Sequence, residues 1–166
     1  MEQSEHYINR VTMAFDDLLY CYDFLEKQLS YEAGEEPIIQ LALTSSFIIA
    51  YGRVFGSSNT KDQEYKEVVS TKFGVLLNRW KRKLSSELLE FHNSLISKRN
   101  IAIAHSDAVS RDYKVSTKNQ VSFGYNPYTA FSEKESEIAF ELTKSLLTVV
   151  SCEHSKCKSE LDKANT

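Results

Sequence analysis

Apolar residues between about positions 3 and 30 recur in steps of three and four. This spacing is typical of one face of an amphipathic α-helix. The residues on this face are Tyr7, Ile8, Val11, Phe15, Leu18, Leu19, Tyr22 and Leu25. A turn with Gly34 follows. Pro37 suits the first turn of a second helix, because the N–H that proline lacks would have no hydrogen-bond acceptor within the helix there. This second helix, about 37–55, is apolar nearly all round, and we expect it to be the most buried element.

The rest of the chain predicts three further helices and one insertion. The polar run 56–60 predicts a loop. A helix is predicted over 62–83 in one or two pieces, because Gly74 could interrupt it, and another over 85–105. Residues 108–130 contain short β-compatible stretches and predict a loop or a small hairpin.

The last helix begins at a capping box. Ser132 is followed three residues later by Glu135, a pattern in which each residue satisfies the other's backbone N–H. Beyond it one apolar stripe contains Ile138, Leu142, Leu146 and Val149. The whole pattern predicts an all-α fold, an antiparallel bundle of four to five helices with an irregular or hairpin insertion near 108–130.

Length and composition agree with a single helical domain over 1–166. The chain has 166 residues, of which 42% are hydrophobic, enough to bury a core. It contains only 5 Gly and 2 Pro, whereas average usage predicts roughly 12% for the two together. So few breakers argue against a fold with a turn every ten residues, such as a β-sandwich or barrel.

Several classes of protein are disfavoured by what the chain lacks. Its 3 cysteines have no metal-ligand spacing and do not predict a disulfide framework. The acidic residues Asp16, Asp17, Asp23 and Glu26 have no histidine at ligand spacing, which favours a solvated face over a metal site. No glycine-rich phosphate loop is present. We therefore expect no metal and no cofactor.

The compartment is predicted from the same features. No apolar h-region follows Met1. The longest uncharged run, 37–52, is shorter than a membrane span. These features favour a cytoplasmic protein that does not associate with membranes.

Positive charge is concentrated in one part of the chain. The formal net charge is −3, yet residues 76–122 hold nine Lys/Arg and four Asp/Glu, a local charge of +5. Such asymmetry favours a phosphate-rich partner, and RNA is the expected one. The candidate RNA-binding residues are Arg79, Lys81, Arg82, Lys83 and Lys98. Trp80 leaves two interpretations open: it could stack on a base, or it could lie in the core beneath a solvated, cationic helix end.

The most informative segment is 91–107. Arg99 and the polar Asn100 precede a fully apolar stretch, Ile101–Ala104, which His105 ends. In a helix, six residues place Arg99 and His105 about 120° and about 9 Å apart. A composite site from two copies of this helix would bring each arginine to the other chain's histidine. His92 lies on the same helix face as Arg99. It either lines the cleft of this composite site or lies in the core with a hydrogen-bond partner.

The chemistry of the Arg99–His105 pair suits RNA. Arginine binds a phosphate bidentately and stabilises its developing charge. Histidine titrates near neutrality, so it can take a proton from a 2′-hydroxyl or give one to the leaving oxygen. The motif Arg99-Asn100-Ile101-Ala102-Ile103-Ala104-His105 resembles that of the HEPN superfamily (higher eukaryotes and prokaryotes nucleotide-binding domains). The resemblance extends more weakly to the second helix and its end at 50–53.

This resemblance implies a helical bundle that dimerises and a metal-independent endoribonuclease of a prokaryotic toxin–antitoxin, abortive-infection or phage-defence system. It assigns catalysis to Arg99 and His105, supported by Asn100. Some family members carry a tyrosine two residues after the histidine, where this chain has Asp107. A cognate antitoxin or regulatory protein is a further implied partner. The alternative hypothesis is a non-enzymatic helical binding module of the same fold, acting as an immunity, antitoxin-partner or assembly subunit.

Overall fold

The elements of the fold follow the apolar pattern closely. The computed structural model describes residues 2–32, 34–56, 63–100, 113–116, 121–124 and 129–164. In this part of the chain the elements are α1 (Glu2–Leu29), α2 (Pro37–Val54), α3 (Gln63–Lys81), α4 (Ser86–Lys98), β1 (Tyr113–Ser116), β2 (Val121–Gly124) and α5 (Glu133–Ala164). The prediction of an all-α helical bundle is confirmed.

Helix α1 lies at the centre and packs against α2, α3 and α5. Its buried face repeats in alternating steps of four and three: Tyr7, Val11, Ala14, Leu18, Cys21 and Leu25. At one end Arg10 donates to the carbonyl of Val54 (2.6 Å), and at the other Thr44 donates to Gln28 (3.0 Å). Helices α1 and α2 are therefore antiparallel. Helix α5 is likewise antiparallel to α1, because Gln28 donates to the carbonyl of Phe131 and Tyr7 to Glu153.

The predicted capping box starts α5. The Ser132 N–H donates to the Glu135 carboxylate (2.9 Å), and the Glu135 N–H donates to the Ser132 hydroxyl (3.3 Å). This reciprocal pair satisfies two N–H groups that a helix start would otherwise leave unpaired.

A β-hairpin lies within the predicted 108–130 insertion. Strands β1 and β2 pair antiparallel, with Tyr113 opposite Gly124 and Ser116 opposite Val121.

Three details refine the prediction. Helix α3 is one piece, which is one of the two predicted forms, and it continues through Gly74, where nothing lies within 4 Å of an added Cβ. Helix α4 ends at Lys98, and Arg99 and Asn100 form a wider, π-type turn. Residues 101–105 of the predicted helix lie outside the described residues. Helix α2 has the highest share of buried residues among the described helices, 8 of 18, as predicted, yet one of its faces is open, with Ile38 82% exposed. A helix apolar all round can be covered only where neighbours are available, and α2 packs against α1 and α4.

Helix α2 also meets a length and hydropathy criterion for a membrane span, with a mean hydropathy of 1.3 over 18 residues and 44% of that window buried in the bundle. The core helix of a bundle can meet the same criterion. Its buried Gln40 and Thr44 make hydrogen bonds to the α1–α2 connection and to Gln28.

Candidate functional site

Helix α4 is held against α2 by a buried polar contact. The Ser85 hydroxyl caps the start of α4 by accepting from the Leu88 N–H (3.3 Å). One turn later His92, only 3% exposed, places its Nδ1 2.8 Å from the hydroxyl of Tyr51. Burial, with a smaller effect of the Lys81 charge, lowers the pKa of His92 to about 4. Of the two sequence interpretations, His92 is the satisfied core histidine.

Arg99 lies directly on α2 where that helix has no side chain. A Cβ added to the buried Gly52 would lie 2.6 Å from Arg99 Cγ and 3.0 Å from Cδ. The arginine stem therefore occupies the space that any other residue at position 52 would fill. Its Nη1 donates to the Asn100 side-chain oxygen (2.9 Å), which orients the guanidinium. Arg99 is half-buried and Asn100 is exposed.

His105, the second residue of the predicted catalytic pair, lies outside the described residues. The composite Arg99–His105 geometry therefore stays a prediction. The chain leaves α4 for this segment at Asn100, beside the Arg99–Gly52 contact.

The basic residues lie around the end of α3. Arg79, Arg82 and Lys83 are exposed and Lys81 is half-buried. Trp80 lies among them in sequence but is 2% exposed, and its indole N–H donates to Ser145 (3.0 Å). Trp80 therefore belongs to the core and cannot stack on a base.

The Trp80 ring makes an edge contact with His92, with centroids 5.6 Å apart. His92 and Arg99 are seven residues apart, which is about 10 Å along a helix. The basic end of α3 is thus anchored within about two helical turns of Arg99.

Lys98 is placed differently from the other predicted RNA-binding residues. Its Nζ lies 4.0 Å from a Glu135 carboxylate oxygen and 5.9 Å from the centre of the Phe131 ring. These contacts turn it towards the start of α5 and partly neutralise its charge.

The acidic residues of α1 do not form a metal centre in the described residues, where no group of three or more potential ligands occurs. Asp16, Asp23 and Glu26 are exposed, as predicted. Asp17 instead is buried and accepts from Arg53 Nη2 and Nε (2.5 and 3.1 Å), tying α1 to the end of α2.

Sequence reasoning missed the role of Gly52 and the Tyr51–His92 hydrogen bond. The only signal in the sequence was a glycine within an apolar helix, next to a tyrosine, at a position where no turn requires a glycine. It also missed a cleft of about 480 Å³ between the α1–α2 turn and the start of α5. Its lining includes Tyr31, Gln40, Phe131 and Ser136.

Comparisons with protein-family models, curated proteins and solved structures give no match to this chain. A functional assignment therefore depends on the chain's own residues.

Proposed function

We propose that this chain is a metal-independent endoribonuclease of the HEPN type, acting in a prokaryotic toxin–antitoxin or phage-defence system as a homodimer. The observation that carries the proposal is the placement of Arg99. Its stem lies on Gly52, its guanidinium is oriented by Asn100, and both residues belong to the motif that resembles the family. An arginine used only to solubilise a helix end would not need a glycine beneath it.

The proposed reaction is an internal transesterification. The RNA 2′-hydroxyl attacks the adjacent phosphorus, the bond from phosphorus to the 5′-oxygen breaks, and the products are a 2′,3′-cyclic phosphate and a 5′-hydroxyl. Arg99 stabilises the charge on the phosphoryl oxygens. His105 takes the proton from the 2′-hydroxyl or supplies one to the 5′-oxygen.

The environment of His92 supports His105 as the proton carrier. His92 is buried, bonded to Tyr51 and has a pKa near 4, so it is neutral at pH 7 and out of reach of a substrate. Of the chain's other histidines, His154 stacks on Phe15 between α5 and α1, with ring centroids 5.1 Å apart. Only His105 belongs to the motif with Arg99.

The basic end of α3 supports RNA as the partner. Of the four cations between 79 and 83, Arg79, Arg82 and Lys83 are exposed and Lys81 is half-buried, beside a tryptophan in the core. They would contact the phosphates on either side of the scissile bond.

The decisive experiment is RNA cleavage by purified Arg99→Ala and His105→Ala proteins. Each should lose activity by about 10²–10⁴-fold, the range for removing a general acid–base or a transition-state charge. Arg99→Lys should restore part of the lost activity, because it keeps the charge but not the bidentate geometry. Wild-type cleavage should persist in EDTA and leave a 2′,3′-cyclic phosphate.

Two controls make the result interpretable. His6→Ala, near the start of α1, should keep wild-type cleavage. Both site variants should melt at the wild-type temperature. Full activity in a folded His105→Ala protein, or loss of activity in EDTA, would contradict the proposal.

One observation favours the alternative, a helical binding module. The apolar face of α2 is open, as expected of a surface that binds another protein. Absence of any RNA cleavage by the wild-type chain, together with complex formation at this face, would favour that function.

A further inference from the structure

One face of α2 presents apolar and small residues that the bundle does not cover. Ile38, Ala42, Ser45 and Ile49 follow one another in steps of four, three and four and so share one side of the helix. Ile38 is 82% and Ile49 39% exposed, Ala42 is exposed and Ser45 is half-buried. We refer to these four residues as the α2 stripe.

Residues of α1 extend this surface on one side. Asp17 of α1 binds Arg53 at the end of α2. Met13 and Tyr20 lie four and three residues from Asp17, on the same face of α1, and are 59% and 55% exposed. Exposed apolar side chains of α1 therefore lie towards the Arg53 end of α2, and exposed apolar surface of this kind indicates a protein interface.

The spacing of the α2 stripe suits a second helix of the same sequence. Alternating steps of four and three are those of two helices that pack side by side. In an antiparallel pair, Ile38 of one copy lies opposite Ile49 of the other, and Ala42 lies opposite Ser45. The large residues then meet at both ends, and the small residues at the centre let the two backbones approach.

The charges at the two ends of α2 favour the same arrangement. Residues 37–52 carry no charge. Before them stand the exposed Glu35 and Glu36, and after them Arg53, whose side chain is 53% exposed. An antiparallel pair brings the two glutamates of one copy near Arg53 of the other at both ends. A parallel pair would instead place like charges together.

We propose that the α2 stripe is the two-fold interface between two copies of this chain, with their α2 helices antiparallel. Gly52 is the next position in the same spacing after Ile49, so each Arg99 would lie at the edge of this interface. The inference names a surface for the homodimer of the proposed function, but in this register the two copies of Gly52 lie about 25 Å apart along the paired helices, so the interface does not by itself bring Arg99 to the partner's histidine. It does not require RNA cleavage, because it stands on the exposure, spacing and charge of α2.

Cysteine cross-linking tests the orientation directly. The exposed Cys152 is first replaced by serine, which leaves the buried Cys21 and Cys157. Ile38→Cys and Ile49→Cys are then introduced singly and together. Positions 38 and 49 are about 16 Å apart along one helix, too far for a disulfide within a chain.

Mild oxidation should join two chains in the double variant and in neither single variant. In the antiparallel pair each position lies opposite the other position, and its own copy is about 16 Å away along the axis. A cross-link in a single variant, or none in the double variant, would overturn the proposal.

Light scattering tests the interface without a new covalent bond. Ile38→Glu and Ile49→Glu should turn the dimer into a monomer, whereas Val75→Glu, at an exposed position of α3, should leave it dimeric. A monomeric wild type would overturn the inference. The inference would also be overturned if the glutamate variants melted at a lower temperature than the wild type but kept its molar mass, because residues of the same chain would then cover the α2 stripe.

RNA cleavage is measured separately on the same proteins. A wild-type dimer that cross-links as expected but cleaves no RNA would refute the enzyme and leave the interface intact. Cleavage by a monomeric wild type would refute both the interface and the composite site. The catalytic roles of Arg99 and His105 would then still be tested by their own alanine variants.

Discussion

At the scale of single residues, the Arg99–Gly52 contact is the feature on which the proposed function depends. Position 52 lies in an α-helix, where glycine is about 0.8–1.0 kcal/mol less favourable than alanine. The chain carries this unfavourable residue where the stem of Arg99 needs the space. The side chain that we propose as catalytic is thus positioned by the absence of a side chain at position 52.

We predict that Gly52→Ala destabilises the fold, whereas Gly74→Ala does not. At position 52 the new methyl group would lie 2.6 Å from Arg99 Cγ and must displace it, and such overpacking typically costs about 1–3 kcal/mol, against a gain of up to about 1 kcal/mol in helix propensity. At position 74, also helical, nothing lies within 4 Å, so alanine should stabilise by up to about 1 kcal/mol.

Denaturant unfolding measures both changes, and cleavage assays report whether Arg99 has moved. Adding Arg99→Ala to Gly52→Ala should recover much of the lost stability, because the clashing Cγ and Cδ are gone. Equal effects of the two glycine substitutions would show that Arg99 moves aside without cost.

At the scale of elements, the position of α4 depends on the hydrogen bond between His92 and Tyr51. This bond and the edge contacts of His92 with Phe55 and Trp80 fix α4 against α2 and α3. Burial favours the neutral imidazole and lowers the pKa of His92 to about 4, so charging the ring opposes this packing. The attachment of α4 is therefore sensitive to acid.

We predict that stability falls as the pH decreases from about 6.5 towards 4. His92 has a lower pKa in the folded chain than in the unfolded chain, so the unfolded chain binds more protons in this window. The stabilisation is complete above pH 6.5, declines as the pH falls and is lost below about 4. A shift of this size corresponds to roughly 3 kcal/mol.

Urea unfolding at a series of pH values measures this loss. His92→Gln, which does not titrate, should be less stable at pH 7 but should show a shallower dependence between pH 6.5 and 4. Identical pH dependences for the two proteins would place the acid sensitivity elsewhere.

At the scale of the whole molecule, an acidic chain has a basic region, residues 79–83 at the end of α3, at its surface. Trp80 anchors the end of α3 in the core and leaves its charged neighbours at the surface. Because phosphate contacts release counterions, binding through this region should weaken steeply with salt.

We predict that replacing Lys81, Arg82 and Lys83 together by alanine weakens RNA binding and flattens its salt dependence. Three lost phosphate contacts should reduce the slope of log K against log salt by about 2, taking roughly 0.7 per contact for a single strand. The matched control replaces Lys156, Lys158 and Lys163 of α5, which removes the same charge. Fluorescence anisotropy between 50 and 200 mM salt measures both, and equal slopes would refute a local role of the basic region.

The sequence by itself determined the helices, their order and the capping box, because these depend on contacts between residues three or four positions apart. The alternation of apolar positions in α1 and the Ser132–Glu135 pair are local patterns of this kind. The pairing of Arg99 with Asn100 is local as well. The same pattern predicted Arg99 as a site residue.

Only the tertiary structure decided which apolar residues are covered and which polar residues meet. Trp80 and His92 could each have faced a site or the core, and the packing of α4 on α2 and α3 placed both inside. Gly52 beneath Arg99 and Asp17 beside Arg53 join residues 47 and 36 positions apart. The uniform apolarity of α2 predicted burial on every side, yet burial requires a neighbour, and the described part of the chain leaves Ile38 82% exposed. Local periodicity sets what a helix can bury, and the arrangement of the other helices sets what it does bury.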